Sequence, residues 1–415
     1  MDRVLKNKLF KDYPKIFNFF KKTIGKKKLN QKYYNKILDE SYNLIENINQ
    51  ETFFKYAKKN FDNIINDDTK KNLSHTSYVE INNSCNINCV MCDTKSSTRK
   101  KGLMKLDLVK KSVEQLKKRG VTNVGLHTIG DPLANKWLGE IFEILRKNNM
   151  NTTISTNGLL LHKHIDTLKK YTDVCRVLRF SIDGATKETY EKIRFGGNWE
   201  TLIENIELAY KELPKVGYDF YINFTVTREN VHEIGKFITF FRKYCDEPHR
   251  QFEFGFMNSL SPNNSYFNNN NMLKEHTHIN AYCNQIATKM PYVLVDGNVS
   301  VCCRDYDGSL IIGNIKEKNI DEILKDEKFD DLFNAHKTGD EKKINDYNLC
   351  SDCYVVDQRA QDLWSNTIKY TLVKNKNKDD TFYQNIANIT LNFLENIKKS
   401  NNPIENYKNL ISKIN

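Results

Sequence analysis

The stretch INNSCNINCVMCDT, residues 81–94, has three cysteines at a C-x3-C-x2-C spacing: Cys85, Cys89 and Cys92. Thiolates crowded on one short segment are typical of a metal site, because thiolate sulfur is a soft ligand for zinc and iron. Zinc sites and four-iron clusters both normally take four ligands, so one position is left for another group. His75 and Asp93 are near enough in sequence to complete a zinc site. Alternatively, an iron without a thiolate would keep an open coordination position.

Composition limits the classes of protein that these cysteines can belong to. The chain has 415 residues, of which 39% are hydrophobic and 28% charged. No stretch approaches the roughly 20 apolar residues of a membrane span. The N-terminus is charged from residue 2 and lacks the pattern of a secretory signal, so we expect a cytoplasmic protein. Eight of the ten cysteines lie in motif-like groups, and Cys175 and Cys245 stand alone. In a reducing compartment, such clustered cysteines indicate metal ligands rather than disulfides.

The net charge of +12 raises the question of nucleic-acid binding. The excess charge is spread over many Lys-rich segments and is not gathered into a patch with interleaved aromatic residues. Nucleic acid is therefore a disfavoured partner.

From residue 77 onward, short β-rich runs alternate with amphipathic helical stretches. The predicted strands are 77–82, 123–129, 151–156, 177–183, 220–226 and 252–257. Such alternation predicts a parallel sheet with helical crossovers, and six units fit a partial (β/α)6 TIM-type barrel. The cysteine motif then follows the first strand, at the end of the barrel where active sites lie.

The fold class predicted is α/β, with the partial barrel flanked by appendages. A helical N-terminal region covers 1–76 and the barrel covers 77–262. A small extension rich in β-hairpins, 263–358, has turn signals at the two Asp-Gly pairs, 296–297 and 307–308. A helical tail covers 359–415.

The motif after the first strand resembles that of the radical S-adenosylmethionine (SAM) superfamily. In that family, three cysteines hold a [4Fe–4S] cluster, and the fourth iron binds the amino and carboxylate groups of SAM. One-electron reduction cleaves SAM to a 5′-deoxyadenosyl radical, which abstracts a hydrogen atom from the substrate. The resemblance implies both cofactors and an external reductant such as flavodoxin or ferredoxin.

Further elements follow the family order. TIGDP (128–132) resembles the GGEP element, with Asp131 in place of glutamate and Ile129 in place of the first glycine. STNG (155–158), SIDG (181–184) and KIRFGG (192–197) resemble elements of the third strand, the fourth strand and a downstream run. The resemblance implies SAM contacts at Met91, Gly130, Asp131, Ser155, Asn157, Ser181, Asp183 and Arg194. Taken singly, each is an ordinary turn or capping pattern.

A second cysteine set lies downstream of the barrel. Gly297 and Cys302 form a G-x4-C element, and Cys350 and Cys353 form a C-x2-C pair. This pattern resembles the SPASM/twitch extension of radical SAM enzymes and implies one auxiliary [4Fe–4S] cluster held by Cys283, Cys302, Cys350 and Cys353. Cys303 is the alternative to Cys302, and a structural zinc is the alternative to the cluster.

The resemblance implies a dehydrogenase-like two-electron oxidation, in which the auxiliary cluster takes an electron from the substrate radical. The expected substrate is a small molecule such as a sugar or cyclitol. A peptide-modifying maturase and a non-enzymatic zinc or cluster module are the alternatives. Oxidation of a carbinol requires a base, for which the sequence offers only weak candidates: Asp305, Arg304, His127 and Glu253.

Overall fold

The computed structural model describes residues 35–45, 50–66, 76–245, 250–257, 265–270, 272, 281–351, 353, 358–375, 377–397, 400 and 402–414. His75 and the first 34 residues of the predicted helical N-terminal region lie outside this part of the chain.

The strands are β1 (Thr76–Val79), β2 (Asn123–Gly125), β3 (Thr152–Thr156), β4 (Cys175–Ser181), β5 (Asp219–Val226), β6 (Arg250–Phe256), β7 (Tyr292–Val293), β8 (Asn298–Ser300) and β9 (Ile311–Asn314). β3 to β6 form a parallel sheet in sequential order, and β1 pairs with β2 in parallel. A bridge between Asn123 and Asn151 joins β2 to the start of β3. The predicted α/β fold with a partial barrel is confirmed.

The helices are α1 (35–45), α2 (Gln50–Ile65), α3 (Leu106–Lys118), α4 (Leu138–Lys147), α5 (Ile165–Lys170), α6 (Lys187–Ile193), α7 (Trp199–Glu212), α8 (Ile234–Phe241), α9 (Ser265–Asn270), α10 (Asn284–Ala287), α11 (Ile320–Ile323), α12 (Glu327–Thr338), α13 (Glu341–Asn345), α14 (Asn348–Ser351), α15 (Gln358–Lys374), α16 (Asp380–Ile397) and α17 (Pro403–Ile414).

The helices of the barrel bury one apolar stripe each. In α4, Leu138, Ile141, Phe142 and Leu145 are buried at positions i, i+3, i+4 and i+7, which is the spacing of one helix face. The strands complement this pattern: in β5 every second residue is buried, beginning with Phe220. The apolar core therefore lies between the outer face of the sheet and the helices.

The extension after the barrel contributes a second piece of sheet. β7, β8 and β9 form an antiparallel meander, and β7 also pairs in parallel with β1. Tyr78 on β1 and Tyr292 on β7 stack with ring centroids 5.0 Å apart. The hairpins thus continue the barrel sheet at β1, the strand that leads into the cysteine motif.

The C-terminal helices pack on the far edge of the barrel. Trp364 of α15 is fully buried, with its ring centroid 5.6 Å from that of Phe254 and 5.3 Å from that of Phe256. The side-chain oxygen of Gln361 accepts a hydrogen bond of 3.3 Å from the Phe256 backbone N–H. α15 therefore covers the exposed edge of β6. No helix in the described part of the chain is both long and apolar enough to cross a membrane.

Candidate functional site

The first cysteine set lines a cavity of about 450 Å3 at the C-terminal ends of the strands. Cys85, Cys89 and Cys92 all contribute to its wall. The strands and loops opposite contribute His127, Thr128, Gly130, Asp131, Ser155, Thr156, Asn157, Ser181, Arg194 and Thr225. The cavity has the size of a ligand site and presents thiols on one side and polar groups on the other.

Each thiol of this set has a hydrogen-bonding neighbour. The Asn157 side-chain amide donates to the Cys85 sulfur at 3.5 Å, and the Arg194 guanidinium donates to the Cys89 sulfur at 3.4 Å. The backbone N–H of Thr94 donates to the Cys92 sulfur at 3.5 Å. These donors would stabilise thiolates, which are the form that binds metal.

Desolvation favours the protonated form of two of these free thiols, Cys85 and Cys89. Burial raises the pKa of Cys85 to about 11. Burial also raises the pKa of Cys89, and the nearby Arg194 guanidinium opposes that shift. A bound metal would release these protons, because thiolate ligation and deprotonation are coupled.

Gly130 and Asp131 connect the cavity to the segment before Cys85. Gly130 has a φ of +84°, and a Cβ there would lie 2.7 Å from the Ser84 carbonyl oxygen and 2.8 Å from that of Asn82. The Asp131 backbone N–H donates to the Ser84 carbonyl at 3.0 Å. Only glycine allows this close approach without strain, so Gly130 fixes the position of the cysteine loop.

The Asp131 carboxylate is heavily hydrogen-bonded. It accepts from the Leu133 N–H at 2.9 Å, from the Asn157 N–H at 2.7 Å and from the Thr156 hydroxyl at 2.9 Å. Burial raises its pKa, and these hydrogen bonds oppose the shift. Asp131 both caps the turn that begins at Pro132 and lines the cavity.

Arg194 and Asp183 form a buried ion pair beside the first cysteine set. Asp183 has a φ of +64°, and its other carboxylate oxygen accepts from the Thr225 N–H at 2.6 Å. Arg194 lines the cavity, whereas Asp183 does not. In the structure the Asp183 carboxylate pairs with Arg194, which donates to Cys89; a SAM contact of Asp183 stays a prediction.

The second cysteine set is assembled from distant parts of the chain. Cys283 precedes α10, Cys302 and Cys303 follow β8, Cys350 lies in α14, and Cys353 follows it. Burial raises the pKa of Cys283 and that of Cys350. Burial also raises the pKa of Cys353 to about 11, although the charge of Arg304 acts to lower it. The Cys283 thiol is close enough to interact electrostatically with Cys303, Cys350 and Cys353.

Cys302 and Cys303 face different surroundings. The Cys302 sulfur accepts from the Arg304 backbone N–H at 3.4 Å. Cys303 and Arg304 line the cavity of the first cysteine set, whereas Cys302 does not. The hairpin that carries Cys302 and Cys303 therefore forms part of the wall of the first site.

Family models match both regions. The model of the radical SAM superfamily matches residues 79–240, and that of the iron–sulfur cluster-binding SPASM domain matches residues 283–354. The chain has a radical SAM domain followed by a SPASM domain.

Sequence relatives align over part of the chain. Mycofactocin maturase MftC of Mycobacterium tuberculosis is 26% identical over 166 residues, which are 40% of this chain and 41% of MftC. The AdoMet-dependent heme synthase of Methanosarcina barkeri is 32% identical over 162 residues, 38% of this chain and 44% of the synthase. The chain thus spans less than half the length of these curated relatives.

Among solved structures, Streptococcus suis SuiB bound to the precursor peptide SuiA superposes with a TM-score of 0.50 and 13% identity. The match covers 63% of this chain and 67% of SuiB. At this identity the likeness concerns the fold alone.

The radical SAM domain implies a [4Fe–4S] cluster with SAM, and the SPASM domain implies further iron–sulfur cluster binding. Both thiol sets fit such groups in the chemistry of their donors. Within the described ranges, no three His, Cys, Asp or Glu side chains are grouped to hold a single metal ion.

The four weak candidates for the base are placed differently. His127 and Arg304 line the cavity of the radical SAM domain. His127 has a buried Nδ1 without a hydrogen-bond partner among the described residues, and burial followed by the charge of Arg179 lowers its pKa to about 4. The ring is therefore neutral at pH 7.

Asp305 and Glu253 do not line the cavity, and both carboxylates are engaged elsewhere. The buried Asp305 carboxylate accepts from the Ser300 hydroxyl at 2.7 Å, from the Ser309 N–H at 2.6 Å and from the Leu310 N–H at 2.9 Å. It therefore holds the turn after Cys303. The Glu253 carboxylate is 3.0 Å from the Arg179 guanidinium and forms an ion pair with it.

Sequence reasoning missed the buried ion pair between Glu80 and Arg99. The Arg99 guanidinium donates to both carboxylate oxygens of Glu80, at 2.6 and 2.7 Å, and its Nε donates to the Tyr306 carbonyl at 2.9 Å. Glu80 also accepts from the Thr128 hydroxyl and, at 3.0 Å, from the Val295 N–H. This pair ties the cysteine loop to the SPASM domain. A glutamate directly after a buried strand was the available signal.

Proposed function

We propose that the protein is a radical SAM enzyme that oxidises a small polar molecule by two electrons, with one auxiliary cluster in its SPASM domain. When bound, the cofactors supply reductive SAM cleavage, a hydrogen-abstracting radical and an acceptor for the substrate electron. The chain positions these groups: Cys85, Cys89 and Cys92 would hold the first cluster. Cys283, Cys302, Cys350 and Cys353 would hold the second.

The observation that carries this proposal is the shared wall between the two sites. Cys303 and Arg304 of the SPASM hairpin line the same cavity as Cys85, Cys89 and Cys92. A substrate in this cavity would lie between the two thiol sets. This placement suits a substrate that loses a hydrogen atom on one side and an electron on the other.

The inner face of the barrel favours a polar substrate. In β4 to β6 the buried residues face the helices, so the alternate residues face the lumen. Polar residues on this inner face include Arg179, Ser181, Asn223, Thr225 and Glu253, with Ser155 at the equivalent position of β3. Of these, Ser155, Ser181 and Thr225 line the cavity. Hydroxyl, amide and charged side chains can hydrogen-bond to the hydroxyl groups of a sugar or cyclitol, whereas they would complement an apolar substrate side chain poorly. Such a substrate would find its proton acceptor at His127.

Peptide modification is the second candidate function. One relative is a mycofactocin maturase, and the superposed SuiB structure contains a precursor peptide. A peptide would require an extended binding surface beyond the cavity. An incubation experiment separates the two candidate functions. One arm offers the reconstituted enzyme amino sugars and cyclitols, and the other offers it peptides from neighbouring short reading frames.

The first test is anaerobic reconstitution. We expect about eight irons per chain and formation of 5′-deoxyadenosine from SAM after chemical reduction. About four irons would contradict the auxiliary cluster. Tight zinc binding without SAM cleavage would instead support a non-enzymatic module. Reduced thiols at both sites are consistent with our proposal of a cytoplasmic enzyme supplied by an external one-electron donor.

A further inference from the structure

Arg304 lies where the two cysteine sets meet. It directly follows Cys302 and Cys303, and its backbone N–H donates to the Cys302 sulfur at 3.4 Å. Together with Cys303, Arg304 lines the cavity of the first cysteine set. One residue therefore contacts a predicted ligand of the second site and also forms part of the wall of the first.

The charge of Arg304 reaches the other segments of the second set. Burial raises the pKa of Cys283 and that of Cys353, and the positive charge of Arg304 opposes both shifts. These two cysteines come from opposite ends of the SPASM domain, which spans residues 283–354. Because an arginine guanidinium keeps its proton in proteins, this positive charge is permanent.

The turn that carries Arg304 is held in place by hydrogen bonds. The Asp305 carboxylate accepts from the Leu310 N–H at 2.9 Å, and the Tyr306 N–H donates to the Arg304 carbonyl at 2.7 Å. From the cysteine loop, Nε of Arg99 donates to the Tyr306 carbonyl at 2.9 Å. The backbone around Arg304 is thus fixed beside the second cysteine set.

The Asp305 carboxylate is the opposing charge on this turn. Burial raises the pKa of Cys350, and the negative charge of Asp305 adds to that shift. The carboxylate accepts hydrogen bonds from the Ser300 hydroxyl at 2.7 Å and from the Leu310 N–H. These donors direct the positive ends of their dipoles at the carboxylate and so weaken its field at the thiols. The charge of Arg304 has the stronger claim on the second set, since it acts on ligands from several segments.

A fixed positive charge beside an iron–sulfur cluster favours the reduced form of the cluster. Reduction adds one negative charge, which a nearby cation stabilises by Coulomb attraction. The reduction potentials of such clusters accordingly depend on net charge and on hydrogen bonds to the sulfurs. Arg304 supplies both, as a guanidinium charge and as a backbone N–H donor to Cys302.

We propose that Arg304 raises the reduction potential of the auxiliary cluster and thereby favours electron transfer from the substrate. This inference rests on the proposed function, because it requires a cluster at the second cysteine set. In the proposed oxidation the substrate radical loses one electron and its hydroxyl proton to give a carbonyl, and the auxiliary cluster gains that electron. Arg304 acts through the cluster and is a positioning residue.

The test compares R304Q, R304K and R242Q in the reconstituted protein. R304Q removes the charge but keeps the backbone N–H, whereas R304K keeps a positive charge. R242Q is the matched control: Arg242 is half-buried like Arg304, but it precedes β6 and so lies towards the end of that strand that is opposite to the cavity. Electron paramagnetic resonance at set potentials measures the midpoint of each cluster. Addition of SAM identifies the first cluster by the change in its signal.

In R304Q we expect the equilibrium constant for reduction of the auxiliary cluster to fall about tenfold, which corresponds to a midpoint potential about 59 mV lower. R304K should stay closer to the wild type, and R242Q should keep the wild-type potential. An unchanged auxiliary midpoint in R304Q would overturn the proposal. An equal shift in R242Q would do so as well, since the effect would then be one of net charge, and so would an equal shift of the first cluster.

Iron content separates this inference from the proposed function. A wild type with about four irons would overturn the auxiliary cluster and this inference together, whereas about eight irons with an unchanged R304Q midpoint would overturn this inference alone. If R304Q loses auxiliary iron, R304M, which keeps an aliphatic stem, takes its place in the titration. Loss of that iron in both variants would show that Arg304 is needed for cluster assembly and would overturn its assignment to the potential.

Discussion

The two cysteine sets are built in opposite ways. Cys85, Cys89 and Cys92 lie on one loop. Asn157 and Arg194, from other parts of the barrel, donate to Cys85 and Cys89, and Thr94 of the same loop donates to Cys92. The second set gathers three separate parts of the chain, from Cys283 to Cys353, and burial dominates the pKa shifts of Cys283, Cys350 and Cys353. The first site is local and opens on a polar cavity, whereas the second depends on the fold of the whole SPASM domain.

The largest expected effect comes from removing the local set. In C85A/C89A/C92A we expect no SAM cleavage and about four irons per chain instead of about eight, because the second set retains its own ligands. The measurements are 5′-deoxyadenosine formation and iron content after anaerobic reconstitution. Loss of all iron would show that the two sites assemble together and would contradict their independence.

A pair of variants, C302S and C303S, tests which hairpin cysteine belongs to the second set. We expect C302S to lose the auxiliary cluster and keep the SAM cluster, with about four irons remaining. C303S should keep about eight irons, because its side chain faces the shared cavity. Iron content and electron paramagnetic resonance of the reduced protein provide the readout. The opposite outcome would assign Cys303 as the ligand and Cys302 as the bystander.

The contrast between a site on one loop and a site gathered from distant segments also explains what could be predicted from sequence. The cysteine loop, the TIGDP element and the six barrel strands are local patterns, and the structure places these strands close to the predicted ranges. The pairing of β1 with β7 joins residues more than two hundred positions apart and has no local signature. The partners of Asp305 and Asp183 could not be predicted for a similar reason, since only the folded chain shows which donors surround a carboxylate.

A further variant, E80Q, tests the connection between the two sites. E80Q removes the charge that neutralises Arg99, and both side chains are almost fully buried. Because one buried charge would be left unpaired, we expect the free energy of unfolding to fall by about 3 kcal/mol. Urea unfolding measures this effect. E200Q, which disrupts an exposed ion pair with Lys187, is the matched control and should leave the unfolding midpoint unchanged.

The last prediction concerns His127, a titratable group on the wall of the first site, whose effect on stability is confined to acidic pH. Its folded pKa of about 4 is below the ordinary value of 6.5, so the unfolded chain binds the proton more readily between these values. Stability should therefore fall as the pH falls from 6.5 towards 4, by up to about 3 kcal/mol, with no contribution above that window. NMR of protein labelled with 15N-histidine, with the His127 signal assigned by its loss in H127Q, should show a ring that stays neutral at pH 5. The H127Q variant should also lose less stability than the wild type between pH 6.5 and pH 4. A ring that titrates near pH 6.5 would mean that water reaches His127 and would contradict the lowered pKa of this residue.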